Sequence, residues 1–180
     1  MRTPLFSGLF FIAIMVLQPS CSKDNVEPEM LVEEEELEED NLPTAPDFAL
    51  TDLSGNTVQL ADFEDQVLVL FFLGHNCPFC KGVADDIESQ LQQAFQGNDS
   101  FAIIGLDTWN GSKSAVESFQ TSTGVTFPLL LKASEVASSY ETTYDRLVVV
   151  NPKGKIAFKG NNASATDLST VVNLVKTLLE

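Results

Sequence analysis

Residues 67–80 have the sequence VLVLFFLGHNCPFC, and this stretch decides the fold. Its first seven residues are all apolar, which is typical of a strand buried on both faces of a sheet. We therefore expect residues 67–73 to form the central strand. A three-residue loop then leads to Cys77 and Cys80, which are separated by Pro78 and Phe79.

The segment after the cysteines predicts an amphipathic helix. Residues 81–96 place apolar side chains three and four positions apart, with acidic and amide side chains between them, and Gly97 ends the pattern. The apolar positions are Val83, Ala84, Ile87, Leu91, Ala94 and Phe95. The two cysteines therefore stand at the N-terminal mouth of a helix.

This position predicts chemistry at the cysteines. Unpaired backbone N–H groups and the helix dipole favour an anion at a helix N-terminus, so we expect Cys77 to be an exposed thiolate nucleophile. Cys80, one helical turn further on, is expected to be partly buried and to attack the mixed disulfide that Cys77 forms with a partner. Pro78 has a fixed φ suited to the first helical turn and no N–H that needs a partner.

Two structural alternatives compete with redox chemistry at the cysteine pair, namely a fixed disulfide and half of a zinc site. A disulfide between residues so close in sequence closes too small a loop to stabilise the fold much. Zinc takes four ligands, and the chain offers only His75 and Cys21 as further histidine or cysteine. We therefore adopt redox chemistry, which needs no cofactor beyond the Cys77–Cys80 disulfide itself.

The remaining pattern from residue 46 to residue 180 alternates between strand and helix periodicity. Hairpins are predicted within 47–60 and 147–158, strands at 101–106 and 127–131, and helices at 112–123, 134–140 and 168–179. The hairpins turn at residues 54–56 and 151–154, where Gly, Asn and Pro favour turns. This order predicts an α/β fold with a mixed central sheet flanked by helices.

The chain resembles the thioredoxin superfamily over roughly residues 43–180. The resemblance lies in the order of its elements, namely a strand, Cys-Pro-Phe-Cys, a helix, a strand, a helix and a closing hairpin. Within it, Ala45-Pro46-Asp47-Phe48 and Asn151-Pro152-Lys153-Gly154 resemble the TlpA-like and alkyl hydroperoxide reductase/thiol-specific antioxidant branch, which opens with an N-terminal β-hairpin. The resemblance implies thiol-disulfide exchange, with Cys77 attacking and Cys80 resolving.

A peroxiredoxin-like thiol peroxidase is the alternative activity. Peroxiredoxins carry a Pro and a Thr or Ser before their peroxidatic cysteine, and Leu73 and Cys77 occupy those places relative to Cys80. The hydroxyl that would hold the peroxide is therefore missing. Arg146 resembles the arginine that peroxiredoxins keep near their thiolate, and the other interpretation is a surface cation at the start of a strand.

The chain also departs from ordinary thioredoxins before the penultimate strand. In the family, a cis-Pro there faces the cysteine pair, shapes the substrate groove and discourages metal binding, and Asp145 stands in that place. Loss of this Pro favours a second alternative, a soft-metal module that binds copper through both thiolates and His75. A carboxylate at Asp145 would disfavour a thiolate nearby, and Arg146 would offset that effect.

Three further polar or aromatic residues are candidates at the site. His75 titrates near neutral pH and can tune Cys77 or move its proton, and the simpler interpretation places it at the rim of a loop. We expect Trp109 to cap the core, with a wall of the substrate groove as the alternative. Asp107 ends a predicted strand, where we expect a cap or turn role and keep a proton carrier as the alternative.

Charge and the N-terminal segment predict location. The chain has 26 acidic and 10 basic residues and a net charge of −16, which disfavours nucleic-acid binding and docking on anionic lipid. Residues 1–20 fit a secretory signal whose apolar core is too short to span a bilayer. Because Cys21 follows Ser20, the segment resembles a bacterial lipoprotein signal, which implies lipidation of Cys21.

Residues 21–45 are expected to be a disordered acidic tether, and residues 46–180 the redox domain. Ten of the 25 residues from 22 to 46 are acidic and one is Lys, so like charges repel along this stretch. We predict a lipid-anchored protein of the cell envelope, on the periplasmic or surface face of the outer membrane. Its expected partners are envelope protein thiols or disulfides and an upstream thiol reductant or oxidant.

Overall fold

The computed structural model describes residues 41–180. The predicted signal segment, Cys21 and most of the acidic tether lie outside the described residues. No helix within residues 41–180 is both long enough and apolar enough to cross a membrane. The last residues of the predicted tether do pack on the domain, because Thr44 bridges to Lys155 and Ala45 is buried. Thr44 and Ala45 of the predicted tether therefore contact the domain.

Strand β3 (Val67–Leu73) lies inside a seven-stranded mixed sheet, and all seven of its residues are buried. The other strands are β1 (Ala49–Asp52), β2 (Thr57–Gln59), β4 (Phe101–Asp107), β5 (Leu129–Leu131), β6 (Arg146–Val150) and β7 (Ile156–Lys159). The sheet has the order β2-β1-β5-β4-β3-β6-β7. β3 is parallel to β4 and antiparallel to β6, so the predicted mixed sheet is confirmed.

In the part of the chain that the structure describes, four α-helices connect and cover these strands: α1 (Pro78–Ile87), α2 (Lys113–Thr123), α3 (Ser134–Ser139) and α4 (Ser164–Leu178). Alternate residues of β3 point into two cores, as its pleat requires. Val67, Val69, Phe71 and Leu73 meet the apolar faces of α1, α2 and α4. Leu68, Leu70 and Phe72 pack with α3 and the segment that leads into β1. The strand is therefore apolar throughout because both of its faces are covered.

Three elements differ from the sequence prediction. The last helix begins at Ser164 rather than at residue 168. The helix predicted at 81–96 begins at Pro78 and ends as an α-helix at Ile87, after which Glu88–Gln93 forms a π-helix. Pro78 at the first helical position sets the earlier start, as the sequence had suggested for its φ. The third strand begins at Leu129 rather than at Phe127. Pro128 lies just before it and has no N–H to give to a sheet.

Candidate active site

The carboxyl end of β3 brings the predicted site together. Leu73, its last residue, pairs in register with Asp107 at the end of β4. On the other side, Phe72 pairs with Arg146 at the start of β6, so Asp145 lies beside Leu73. Three loops therefore meet at this edge of the sheet: the loop after β3, the loop after β4 and the loop before β6.

The loop after β3 delivers Cys77 as the N-terminal cap of α1. The Cys77 backbone N–H donates to the carbonyl of Gly74 at 2.9 Å, which turns the chain into the helix. The Sγ of Cys77 then accepts a hydrogen bond from the backbone N–H of Cys80 at 3.1 Å. The first backbone N–H groups of a helix have no partner within the helix. Here Pro78 has no N–H, and the N–H of Cys80 donates to the sulfur of Cys77.

Both cysteines are free thiols and both are buried, with exposed fractions of 1% for Cys77 and 0% for Cys80. The expectation of an exposed Cys77 is therefore wrong. The loop that carries Cys77 turns back over the end of α1 instead of projecting from it, and the sulfur points at the first helical turn. A partner disulfide must move a neighbouring group before it can reach this sulfur.

Electrostatics separate the two thiols. Burial raises the pKa of the Cys80 thiol, and the hydrogen bond with Cys77 and the negative charges of Cys77 and Asp145 raise it further. A backbone hydrogen bond from Gly74 opposes this shift only in part. Cys80 is therefore held as the protonated thiol. At Cys77, a backbone N–H of the first helical turn donates to the sulfur.

His75 and Asp107 form a pair beside the cysteine loop. Nδ1 of His75 donates to Oδ1 of Asp107 at 3.1 Å, and the His75 backbone N–H donates to the same oxygen at 3.0 Å. The other carboxylate oxygen accepts from the backbone N–H of Gly111 at 2.6 Å. Asp107 is fully buried and joins the loops after β3 and β4. This is the expected turn role, and it also fixes the tautomer of His75.

Three large apolar side chains stand exposed in residues 41–180, and they are Phe79, Trp109 and Tyr144. Trp109 makes edge contacts with His75 and Tyr144, at ring-centroid distances of 5.9 Å and 5.1 Å. A Cβ on Gly74 would collide with the indole of Trp109, so the ring lies directly on the cysteine loop. The expected core-capping role is therefore wrong, because Trp109 covers the loop and is 42% exposed.

Asp145 lies at this edge of the sheet and has a left-handed backbone conformation, with a φ of 58°. Only 7% of its surface is exposed. The Oγ of Ser164 donates to Oδ1 of Asp145 at 2.7 Å, and the Ser164 backbone N–H donates to the Asp145 carbonyl at 3.1 Å. Nη1 of Arg146 donates to that same carbonyl at 2.7 Å. This bond ties one nitrogen of the Arg146 guanidinium to the loop before β6.

Sequence reasoning missed Tyr144 and Ser164 as members of this site. Tyr144 has a signal, since it directly precedes the residue in the cis-Pro place, whereas Ser164 lies 19 positions after Asp145 and gives none. Within residues 41–180, no three or more His, Cys, Asp or Glu side chains cluster closely enough to hold a metal ion. The two thiols that the soft-metal hypothesis requires are present, and no third ligand lies with them in a cluster within these residues.

Two proteins of known sequence are similar to this chain over more than half of its length. Thiol-disulfide oxidoreductase ResA of Bacillus subtilis is 30% identical over 114 residues, which cover 62% of this chain and 62% of that protein. The chain thus spans less than two thirds of the length of ResA. A Mycobacterium tuberculosis protein provisionally named a peroxiredoxin is 31% identical over 140 residues, which cover 68% of this chain and 85% of that protein.

Among solved structures, one from Bacteroides thetaiotaomicron, provisionally named a protein disulfide isomerase, superposes with a TM-score of 0.70. It is 27% identical, and the match covers 76% of this chain and 88% of that one. The predicted thioredoxin-like fold is thereby confirmed. The model of the AhpC/TSA family matches residues 43–159, which include both hairpins, the cysteine loop and all seven strands of the sheet. The chain belongs to the AhpC/TSA family of the thioredoxin superfamily.

Proposed function

We propose that this protein is a thiol-disulfide oxidoreductase that works through the Cys77–Cys80 pair. The observation that carries the proposal is the 3.1 Å hydrogen bond from the Cys80 N–H to the Cys77 sulfur at the start of α1. It gives one sulfur a site suited to negative charge and leaves the other behind it as a protonated thiol. The ResA relative, named for this activity, supports the assignment.

The reaction follows from the different surroundings of the two sulfurs. The Cys77 thiolate attacks one sulfur of a partner disulfide, forms a mixed disulfide and releases the other partner sulfur as a thiolate. Cys80 then loses its proton and attacks Cys77, which closes the Cys77–Cys80 disulfide and releases the second partner sulfur. Two electrons have passed from this protein to its partner, and the reverse sequence oxidises a dithiol.

Polypeptide disulfides are the substrate class that the surface supports. The exposed aromatic side chains Phe79, Trp109 and Tyr144 gather around the cysteine loop and offer apolar contact area to a bound chain. The net charge of −16 disfavours strongly acidic partners. Neutral or basic polypeptides with a disulfide near apolar residues fit both features.

We place the protein outside the cytoplasm, attached to the outer membrane by lipid on Cys21. Residues 1–20 and the Ser20-Cys21 junction support this placement, and envelope proteins would then supply the substrate disulfides. Phase partitioning of a bacterial lysate in a detergent with a low cloud point tests the lipid anchor. The wild-type chain is expected in the detergent-rich phase and the Cys21→Ser variant in the aqueous phase. The same distribution for both would contradict lipid anchoring.

Reduction of insulin by dithiothreitol, followed as turbidity, tests the activity. All proteins carry Cys21→Ser, so that Cys77 and Cys80 are the two remaining thiols. We expect the parent protein to shorten the lag before precipitation and Cys77→Ser to behave as the uncatalysed control. A parent protein no faster than dithiothreitol alone would contradict the proposal for protein disulfides.

A thiol peroxidase is the second candidate, and the Mycobacterium tuberculosis relative favours it. The position of the peroxide-binding hydroxyl is taken by Cys77, and Arg146 is bound to the carbonyl of Asp145. Stopped-flow mixing with hydrogen peroxide separates the candidates. The exchange proposal expects slow oxidation by micromolar peroxide and fast reaction with disulfides, whereas a peroxidase gives the opposite order.

A further inference from the structure

A second cleft lies toward the opposite end of the sheet from the cysteine pair. Its volume is about 540 Å³, which is within the usual range for small-ligand sites. The buried side chains Ala45, Leu68 and Val150 line it and make part of its wall apolar. Leu68 precedes Leu73, the last residue before the cysteine loop, by about 16 Å along β3 at roughly 3.3 Å per residue. The cleft is therefore remote from the proposed exchange site.

The open side of the cleft carries a negative charge. Three acidic residues, Asp47, Glu64 and Asp65, line it together with one basic residue, Lys153, and all four are exposed. We call the three acidic residues the acidic rim. An acidic rim beside an apolar wall favours a ligand that has both a positive charge and an apolar part. Charge alone does not make a site, because exposed acidic side chains are usually just solvated.

Asn151, which also lines the cleft, supplies an unpaired hydrogen-bond donor. Only 2% of its surface is exposed. Its Oδ1 accepts from the backbone N–H groups of Lys153 at 3.1 Å and Lys155 at 2.9 Å. Its Nδ2 is buried and has no hydrogen-bond partner within residues 41–180. The two bonds to Oδ1 fix which end of the amide is the oxygen, so the unpaired atom is a donor.

The turn that Asn151 opens, between β6 and β7, does not need this donor. The side-chain oxygen is what accepts from the turn, and Asp at this position would offer the same oxygen. A buried donor without a partner is unfavourable, and most buried polar groups in proteins are paired. The amide nitrogen therefore indicates an acceptor oxygen supplied by a ligand or by an ordered water molecule.

We propose that this cleft binds the first residue of a polypeptide through its α-ammonium group and its carbonyl oxygen. The acidic rim attracts the ammonium group, Nδ2 of Asn151 donates to the carbonyl, and the apolar wall packs against the side chain. The acidic rim disfavours a free carboxylate on the same residue, so the ligand is the amino terminus of a chain rather than a free amino acid. This binding does not depend on the exchange activity of Cys77 and Cys80.

Five small probes separate these contributions. Leucinamide has the ammonium group, the carbonyl and an apolar side chain. Isopentylamine lacks the carbonyl, N-acetyl-leucinamide lacks the charge, and leucine adds a carboxylate. Leucyl-glycyl-glycinamide continues the chain beyond the first residue, as a polypeptide does. All are tested at pH 6.5, where an α-amino group is charged.

Binding is followed in ¹⁵N–¹H correlation spectra of the reduced full chain with Cys21→Ser. The amide signals of residues 60–65 and 151–155 should shift, and those of residues 77–80 should not. We expect leucinamide and the tripeptide amide to bind with similar affinity. Both should bind about threefold to tenfold more tightly than isopentylamine, as one hydrogen bond provides. N-acetyl-leucinamide and leucine should bind more weakly than leucinamide.

Asn151→Asp tests the donor, because it keeps the oxygen for the turn and removes the N–H group. The preference for leucinamide over isopentylamine should disappear, whatever the added charge does to the affinity for both amines. Asn98→Asp is the matched control. The Oδ1 of Asn98 likewise accepts a backbone N–H, from Ser100 at 2.9 Å, and Asn98 does not line the cleft. This variant should keep the preference of the parent protein.

The double variant Glu64→Gln/Asp65→Asn tests the acidic rim. It should bind leucinamide about threefold more weakly or worse, because two charges that attract the ammonium group are gone. The double variant Asp85→Asn/Asp86→Asn removes the same charge from exposed positions on α1 and should bind leucinamide as the parent does. Equal weakening by the two double variants would mean that net charge, and not this cleft, attracts the amine.

Equal affinity of the parent protein for leucinamide and isopentylamine would overturn the proposal and would leave water as the partner of Asn151. Retention of the preference in Asn151→Asp would also overturn it, as would signal shifts confined to the cysteine loop. A tripeptide amide that binds much more weakly than leucinamide would contradict the assignment to a polypeptide. Each of these outcomes leaves the exchange activity as it stands, since no probe contains a disulfide.

Discussion

The imidazole of His75 is bound to the buried carboxylate of Asp107 over 3.1 Å, although the two residues lie 32 positions apart in the chain. The bond joins the loop that carries Cys77 to the end of β4. Because Asp107 also accepts from two backbone N–H groups, one carboxylate holds two loops in place. The loop that carries Cys77, the proposed nucleophile, is held through this contact.

Replacement of Asp107 by Asn is expected to destabilise the protein by about 1–3 kcal/mol, because an amide cannot accept all three hydrogen bonds. Attack of Cys77 on Ellman's reagent should also slow, since the Cys77 loop loses its anchor. Urea unfolding and stopped-flow absorbance measure the two effects. Asp86→Asn, an exposed carboxylate on α1, is the matched control and should change neither. Equal behaviour of the two variants would contradict the anchoring role.

Gly74→Ala is expected to displace Trp109, because the added Cβ would collide with its indole. Overpacking of this kind costs about 1–3 kcal/mol, and the fluorescence of Trp109, the single tryptophan, should shift. Gly82→Ala on α1 is the control, since its added Cβ meets nothing within 4 Å. It should stabilise the helix by about 0.5–1 kcal/mol and leave the fluorescence unchanged. A native spectrum for Gly74→Ala would show that Trp109 does not rest on this loop.

Variants with one cysteine should trap different products. In the Cys21→Ser background, Cys80→Ser is expected to accumulate a mixed disulfide between Cys77 and a partner peptide, because no resolving thiol remains. Cys77→Ser should accumulate far less, since its remaining sulfur is fully buried and its thiol pKa is raised. Intact mass after acid quenching counts the adducts. Faster adduct formation at Cys80 than at Cys77 would reverse the assignment of the two roles.

The reduced protein is expected to lose stability above about pH 9. Burial raises the pKa of Cys80 above its ordinary value of 9.0, so the unfolded chain releases this proton at a lower pH than the folded chain does. The contribution of this thiol is thus fully present below pH 9 and declines as pH rises, by up to about 1.4 kcal/mol per pH unit. Burial also raises the pKa of Tyr140, which adds a loss above about pH 10.

Urea unfolding at pH 8 and pH 10 measures this loss under reducing conditions. Cys80→Ala is the control, because it keeps Cys77 and Tyr140 and lacks the buried thiol. The difference in free energy of unfolding between the parent protein and Cys80→Ala should shrink from pH 8 to pH 10. A difference that stays constant or grows would mean that the Cys80 thiol ionises as readily in the folded protein as in the unfolded chain.

Local patterns predicted most of the fold. The apolar run at β3, the periodicity of α1 and the turns of both hairpins depend on neighbours in sequence, and each of these elements is present. The π-helix at Glu88–Gln93 was not predicted. Its Glu88 is tied to Thr126, 38 positions away, and periodicity over one helix carries no information about such a partner.

The sequence predicted most of the residues of the site but not how they are arranged. The cysteine spacing and the Pro between them indicate a redox pair at a helix N-terminus, because the chemistry there depends on local geometry. The burial of Cys77 and the placement of Trp109 depend on how three loops pack together, which one segment does not encode. The bond between Asp145 and Ser164 has the same character, since it joins a loop to the start of α4.

Equilibration of the Cys77–Cys80 pair with glutathione buffers tests the central claim most directly. The full chain with Cys21→Ser is equilibrated over a range of buffer potentials, the free thiols are alkylated, and intact mass gives the oxidised fraction. We predict one reversible two-electron transition. A midpoint below about −230 mV would indicate a reductase, and one above about −200 mV an oxidase or isomerase. Failure of an intramolecular disulfide to form reversibly between Cys77 and Cys80 would contradict the account.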